Sequence, residues 1–171
     1  MAIRNILHDD DKTLQKTSRA VTDFNKRLHM LLDDMRETLI QANGLGLAAP
    51  QVGVLRRVVL IVDTNIEALL PEDQIVELIN PEIIAQSGQQ SSTEGCLSIP
   101  GLYGVVTRPE LVRIKAQDRH GNAFEMWGSE LTARALCHEI DHLNGVLFTA
   151  HAERYLTEEE INKLAEEDSG D

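Results

Sequence analysis

Apolar positions recur along this chain with two different periods, and the change from one to the other outlines the fold. From about Asn25, Leu28, Leu31, Leu32, Met35 and Leu39 return at helical spacing, which predicts a first helix with Asp23 as its N-cap and Asn43-Gly44 as its stop. Arg57-Val58-Val59-Leu60-Ile61-Val62 is a short β-branched run and predicts a buried strand. Residues 63–74 form an acidic loop, and residues 75–79 and 82–87 predict two strands separated by Asn80-Pro81. Residues 87–93 are polar enough to be a loop. Residues 111–117 alternate as a half-buried strand, and Asp118-Arg119-His120-Gly121-Asn122 makes a hairpin turn into residues 123–127. Ser129 then caps a helix over residues 130–143, with Leu136, Ile140 and Leu143 on its core side and Asn144-Gly145 at its end. Residues 157–167 form an acidic helix, and Ser169-Gly170-Asp171 should fray. Residues 1–24 read as a polar wrap. A helix, a run of short, mostly antiparallel strands and then helices indicates an α+β fold arranged around the helix over 130–143.

The chain is 171 residues long, 42% hydrophobic and 26% charged, which suits one domain spanning 1–171 with a core of its own. Its formal net charge of −12 argues against DNA, ribosomal RNA or an anionic membrane as a partner. No run of about 18 apolar residues and no apolar leader region is present, so a soluble, cytoplasmic protein is expected. Two cysteines, Cys96 and Cys137, fit a reducing compartment in which thiols are packed, catalytic or metal-bound.

The chemistry concentrates in Cys137-His138-Glu139-Ile140-Asp141-His142. On a helix His138 and His142 share one face, about 6 Å apart along the axis, where both imidazoles reach a single metal ion. Glu139 then lies beside the ion, where a general base takes a proton from a metal-bound water. A catalytic site of this kind keeps three protein ligands and one open position, so one ligand remains to be found. Cys96, a downstream carboxylate (Glu153, Glu158 or Glu160) and His8, His29, His120 or His151 are all candidates. Gly44-Leu45-Gly46-Leu47-Ala48-Ala49-Pro50-Gln51 has glycines at alternate positions and suits either a tight turn or a thin strand lining a ligand. It is not a phosphate loop, because no Lys-Ser/Thr follows the glycines.

Three stretches, residues 44–51, Glu94-Gly95-Cys96-Leu97-Ser98 and His138 to His142, resemble in order and separation the three signature motifs of the peptide deformylases, and the likeness runs from Ile6-Leu7 to Leu147-Phe148. The resemblance implies Cys96, His138 and His142 as metal ligands and Glu139 as catalytic acid/base. It implies Gln51 and the backbone N–H of Leu97 as oxyanion donors, and Gly44, Leu45 and Gly46 as substrate-lining residues. Glu94, Gly95 and Leu131 are further candidates for the walls of the cleft. It also implies one divalent ion, Fe²⁺, with Zn²⁺, Ni²⁺ or Co²⁺ able to substitute. The implied substrate is the formyl-methionyl N-terminus of nascent polypeptides, cleaved to release formate. Ribosome docking through a basic C-terminal helix, common among similar proteins, does not suit the acidic tail. Arg134 and Tyr103 stand where related chains often carry an apolar residue and an arginine.

Overall fold

The computed structural model describes residues 2–169. Helix α1 (Lys26–Ala42) is followed by β1 (Gly46–Ala48), β2 (Val58–Val62), β3 (Ile75–Ser87), β4 (Gln90–Cys96), β5 (Ile99–Arg108), β6 (Leu111–Gln117) and β7 (Ala123–Ser129). Helix α2 (Glu130–Leu143), β8 (Arg154–Tyr155) and α3 (Glu158–Ser169) complete the α+β order. Five strands form one antiparallel sheet in the order β1-β2-β3-β6-β7, and three form a second in the order β4-β5-β8.

The large sheet lies between two helices, and β2 shows why its sequence is continuously apolar. Val58 and Leu60 pack with Leu32, Met35 and Leu39 of α1, while Val59 and Ile61 pack with Leu136, Ile140 and Leu143 of α2. A strand buried on both faces has no polar side to alternate with. Helix α2 gives one face to this core and the opposite face, from Leu131 to Glu139, to a cleft between the two sheets.

Several local expectations are corrected. The N-cap of α1 is Asn25, whose side chain accepts a hydrogen bond from Leu28 N–H at 3.1 Å, and not Asp23, which lies too far upstream to reach the first turn. Residues 75–79 and 82–87 are one strand. Its register shifts between Ile79 and Glu82, and Asn80, at φ 53°, bonds Val21 and Gln117 through its amide. Residues 90–93, expected in a loop, belong to β4, and β5 was not anticipated because Pro100, Gly101 and Gly104 interrupt its pattern. Residues 44–51 hold the strand β1 followed by a 3-10 turn over Ala49–Val52. Helix α3 runs through Ser169, and the fraying expected of Gly170 and Asp171 concerns residues outside those described.

The N-terminal segment fixes the far end of α2. Ser18 N–H donates to Leu143 O at 2.8 Å, and Arg57 donates to Leu143 O and to Asn144 Oδ1, placing a cation at the negative end of the helix. Gly145 turns there at φ 73°, and a Cβ on it would overlap the Gln15 carbonyl. Gly145→Ala therefore combines left-handed strain with a backbone clash and should lower stability by about 2–4 kcal/mol. Gly101→Ala, at φ 80° with nothing within 4 Å of the added carbon, should cost only about 1 kcal/mol. Urea denaturation of the two variants checks the difference.

Candidate metal centre and its cleft

Strand β4 and helix α2 bring three soft or borderline donors to one point. The ligand atoms of Cys96, His138 and His142 all lie within 4.8 Å of one another, with Cys96 Sγ 3.4 Å from His142 Nε2. Two imidazoles come from one helix face because they are four residues apart, and the thiol comes from the last residue of β4. A thiolate and two neutral imidazoles form the donor set of a three-ligand divalent metal site, so the residues fit such an ion. Among the other candidates for the third ligand, Glu160 is bound instead to Arg154 and caps α3 through Thr157.

Glu94 lies two residues before Cys96, across a shift in the register of β4 on β5, and its carboxylate reaches the same group of donors as the thiol. It accepts Nδ1–H of His138 at 2.9 Å and a two-pronged contact from Arg108, both at 3.0 Å, and it also pairs with Arg134. Arg108 continues to Asp141 at 2.7 Å, and Asp141 reaches His151 at 3.3 Å. Burial opposes the charge on Glu94, but the hydrogen bonds from His138 and Arg108 outweigh it and hold the carboxyl at about 2. With its Nδ1 proton given to a fixed carboxylate, His138 turns Nε2 toward the metal position. Glu94, expected among the substrate-lining residues, touches the cleft but spends its carboxylate on His138 and the two arginines.

The other titratable groups divide sharply. Burial, joined by the positive charges of His138 and Arg108, lowers His142 to about 3 and leaves it a neutral donor. Burial works against a proton on His138 as well, yet the hydrogen bond to Cys96 and the carboxylates of Glu139 and Glu94 raise it to about 10 in the metal-free protein. Glu139 is 3% exposed, and one of its oxygens has no hydrogen-bond partner within the protein. Burial pushes its carboxyl up to about 7, with His138 and Arg108 opposing and Glu94 and Asp141 adding to the rise. Gly46 makes room for it: a Cβ there would lie 2.7 Å from Glu139 Cγ.

Gln51 is buried beside the thiol. Its Oε1 accepts Ala48 N–H at 2.9 Å, and because a backbone N–H can only donate, the amide NH₂ must face Ser98 Oγ at 3.1 Å and Cys96 Sγ at 3.6 Å. A cleft of about 920 Å³ opens in front of these groups, lined among others by Gly44, Leu45, Gly46, Gly95, Leu97 and Leu131. Leu45 and Leu131 are 45% and 42% exposed there. Tyr103 and Arg134 also line it, Arg134 with its charge turned to Glu94. The roles of Arg108, Ser98 and Asp141 were not foreseen. The signal available was the need of a ligating histidine for an acceptor on its second nitrogen, which names neither the carboxylate that meets it nor the cations holding that carboxylate.

A model of the family described as polypeptide deformylase matches residues 3–158. The peptide deformylase of Alkaliphilus metalliredigens is 54% identical over 149 residues, 87% of this chain and 96% of that one. The crystal structure of a peptide deformylase from Legionella pneumophila superposes with a TM-score of 0.81 at 38% identity, covering 98% of each chain. That of Thermotoga maritima gives 0.82 at 32% identity, covering 90% of this chain and 99% of that one. Fold and donor set thus define a metal-dependent hydrolase. The chain belongs to the polypeptide deformylase family, enzymes of protein biosynthesis that remove the N-formyl group from new polypeptides.

Two outcomes follow for metal uptake. Glu94→Gln should weaken binding of a divalent ion about 10–100-fold in chelator competition, since the amide holds His138 less firmly. Uptake at pH 7 should release at least one proton per ion, the one that His138 carries when metal-free, so affinity falls as pH falls. Calorimetry in buffers of different ionisation enthalpy reads the proton count.

Proposed function

We propose that this chain hydrolyses the formyl amide of formyl-methionyl N-termini of nascent polypeptides and releases formate, using residues 1–171 as one catalytic domain. In this reading Cys96, His138 and His142 hold one divalent ion, Fe²⁺, for which Zn²⁺, Ni²⁺ or Co²⁺ can substitute. The observation that carries it is the meeting of the β4 thiol with two α2 imidazoles directly beside a buried carboxylate, one oxygen of which accepts no hydrogen bond within the protein. A bound ion supplies a water acidified toward neutrality and a Lewis acid for the formyl oxygen.

Glu139 takes the proton of the attacking water and returns it to the leaving amine. A carboxyl raised toward neutrality suits both transfers, because neither protonation state is strongly favoured. Gln51 and the Leu97 N–H donate to the oxyanion, and each such donor is worth roughly 3 kcal/mol in sites of this kind. The Gln51 amide is oriented from behind by Ala48 N–H, which keeps its NH₂ toward the Cys96 thiol and Ser98. The peptide backbone pairs as an added strand between Gly44-Leu45-Gly46 and Glu94-Gly95. Support comes from β1 and β4 each being an edge strand of its sheet, with both bordering the cleft. Leu45 and Leu131 form apolar walls for the methionine side chain.

A cytoplasmic setting suits two unpaired thiols, Cys96 and Cys137, and among the described residues no helix is long and apolar enough to cross a membrane. Three consecutive glutamates, Glu158 to Glu160, open α3 and would be repelled by ribosomal RNA, so substrates reach the cleft without docking of this helix on RNA.

Formate release from a formyl-Met peptide by anaerobically prepared protein tests the reading. Glu139→Ala should retain the metal and lose at least about 10²-fold in kcat. Retention of more than about a tenth of the activity contradicts the assignment. The wild-type kcat/KM should fall as pH drops below about 7, because protonated Glu139 cannot accept a proton; the positive ion beside it draws the limb toward lower pH.

A further inference from the structure

The entry into α2 is strained. Glu130, its first residue, has φ 52°, a left-handed conformation that a side chain disfavours, and Ser129 before it makes no side-chain capping bond. Glu130 N–H donates to Glu110 O at 2.9 Å. Its carbonyl is held from across the cleft wall by Gln90, the first residue of β4: Gln90 Nε2 donates to Glu130 O at 2.8 Å and to Pro109 O at 3.0 Å. The residue that follows this turn is Leu131, large, apolar and 42% exposed, on the helix face that also carries Arg134, Ala135 and His138 into the cleft.

Seven residues separate Leu131 from His138, about 10 Å along the helix axis. That is about the reach of an unbranched side chain of methionine's length beyond an amide held at the metal, whereas a methyl side chain ends three heavy atoms short of it. Leu131 therefore meets the tip of a long side chain and nothing of a short one. Its place depends on the direction in which the chain leaves Glu130, a residue held by Glu110 at its N–H and by the Gln90 side chain at its carbonyl.

We propose that Gln90 is a positioning residue for substrate selection: by clamping Glu130 in its left-handed turn, it holds Leu131 as the wall against which the formylated residue's side chain packs. The inference rests on the deformylase reading of the cleft. Gln90 touches no ligand of the metal position; its other tie to α2, from Arg134 to its backbone carbonyl at 3.4 Å, survives truncation of the side chain.

The test compares formyl-Met-Ala-Ser with formyl-Ala-Ala-Ser. In Gln90→Ala the preference for the methionine peptide in kcat/KM should fall about fivefold, through a higher KM for that peptide and with kcat little altered. Adding Glu130→Gly should restore at least half of the lost preference, because glycine adopts the left-handed turn without the clamp. A Gln90→Ala enzyme whose preference stays within about twofold of wild type overturns the clamp, and so does a loss that Glu130→Gly fails to recover. A wild-type protein that releases formate from neither peptide overturns the underlying deformylase reading and this proposal with it.

Discussion

The buried carboxylate of Glu94 is where the two halves of the molecule are joined. It stands on the small sheet, yet it accepts from His138 and pairs with Arg134, both of α2, which belongs to the core of the large sheet. Taking such an anion out of water costs several kcal/mol, and the cost is offset only where partners and geometry are complete. With His138 neutral, as a metal ligand must be, Arg108 and Arg134 supply two positive charges and Glu94 and Asp141 two negative ones, so the cluster is neutral as a whole. A neutral, fully bonded cluster resists rearrangement, because freeing any one member leaves a buried charge uncompensated at about 3–5 kcal/mol.

From that junction the rest of the centre follows. With Glu94 fixed, Cys96 two residues on is fixed, and the register of β4 on β5 sets where the thiol meets the helix. The helix is held at its far end by Ser18, Arg57 and Gly145, so His142 cannot slide along its own axis. Gly46 and Gln51 arrive from the opposite side on β1 and the turn behind it, close enough that Glu139 is enclosed without losing its open oxygen. Rigidity comes from the sheets and α2, and the cleft is what remains between two strand edges that no strand among the described residues covers.

Much of this was legible locally. Helix α2 was bounded at residues 130–143 from its apolar period and its Asn-Gly stop, and the structure has it at Glu130–Leu143. Strands β2 and β6 and the turn after β6 were equally plain, since their patterns and turn residues are local. What escaped depended on distant partners. Strand β4 carries Ser91, Ser92 and Thr93 and is a strand only because β5 pairs with it, while β5 contains glycines and a proline that argue against it until β4 and β8 are known. Asn80-Pro81 looked like a break and is a bulge, because the Asn80 amide finds Val21 and Gln117. In the site, the spacing of His138, Glu139 and His142 is a property of one helix and could be read directly. The thiol 42 residues upstream of His138 could not be separated by spacing from other possible donors, and Arg108 and Arg134 meet Glu94 only through the packing of strand on helix.

The central claim is that a sulfur from β4 and two nitrogens from α2 share one ion that keeps a place for a small molecule. X-ray absorption spectroscopy of the metal-loaded protein addresses this most directly. The account predicts one sulfur neighbour at about 2.3 Å, two imidazole nitrogens and one exchangeable light atom, with the sulfur contribution gone in Cys96→Ser. A shell without sulfur, or one closed by four protein ligands, would contradict it.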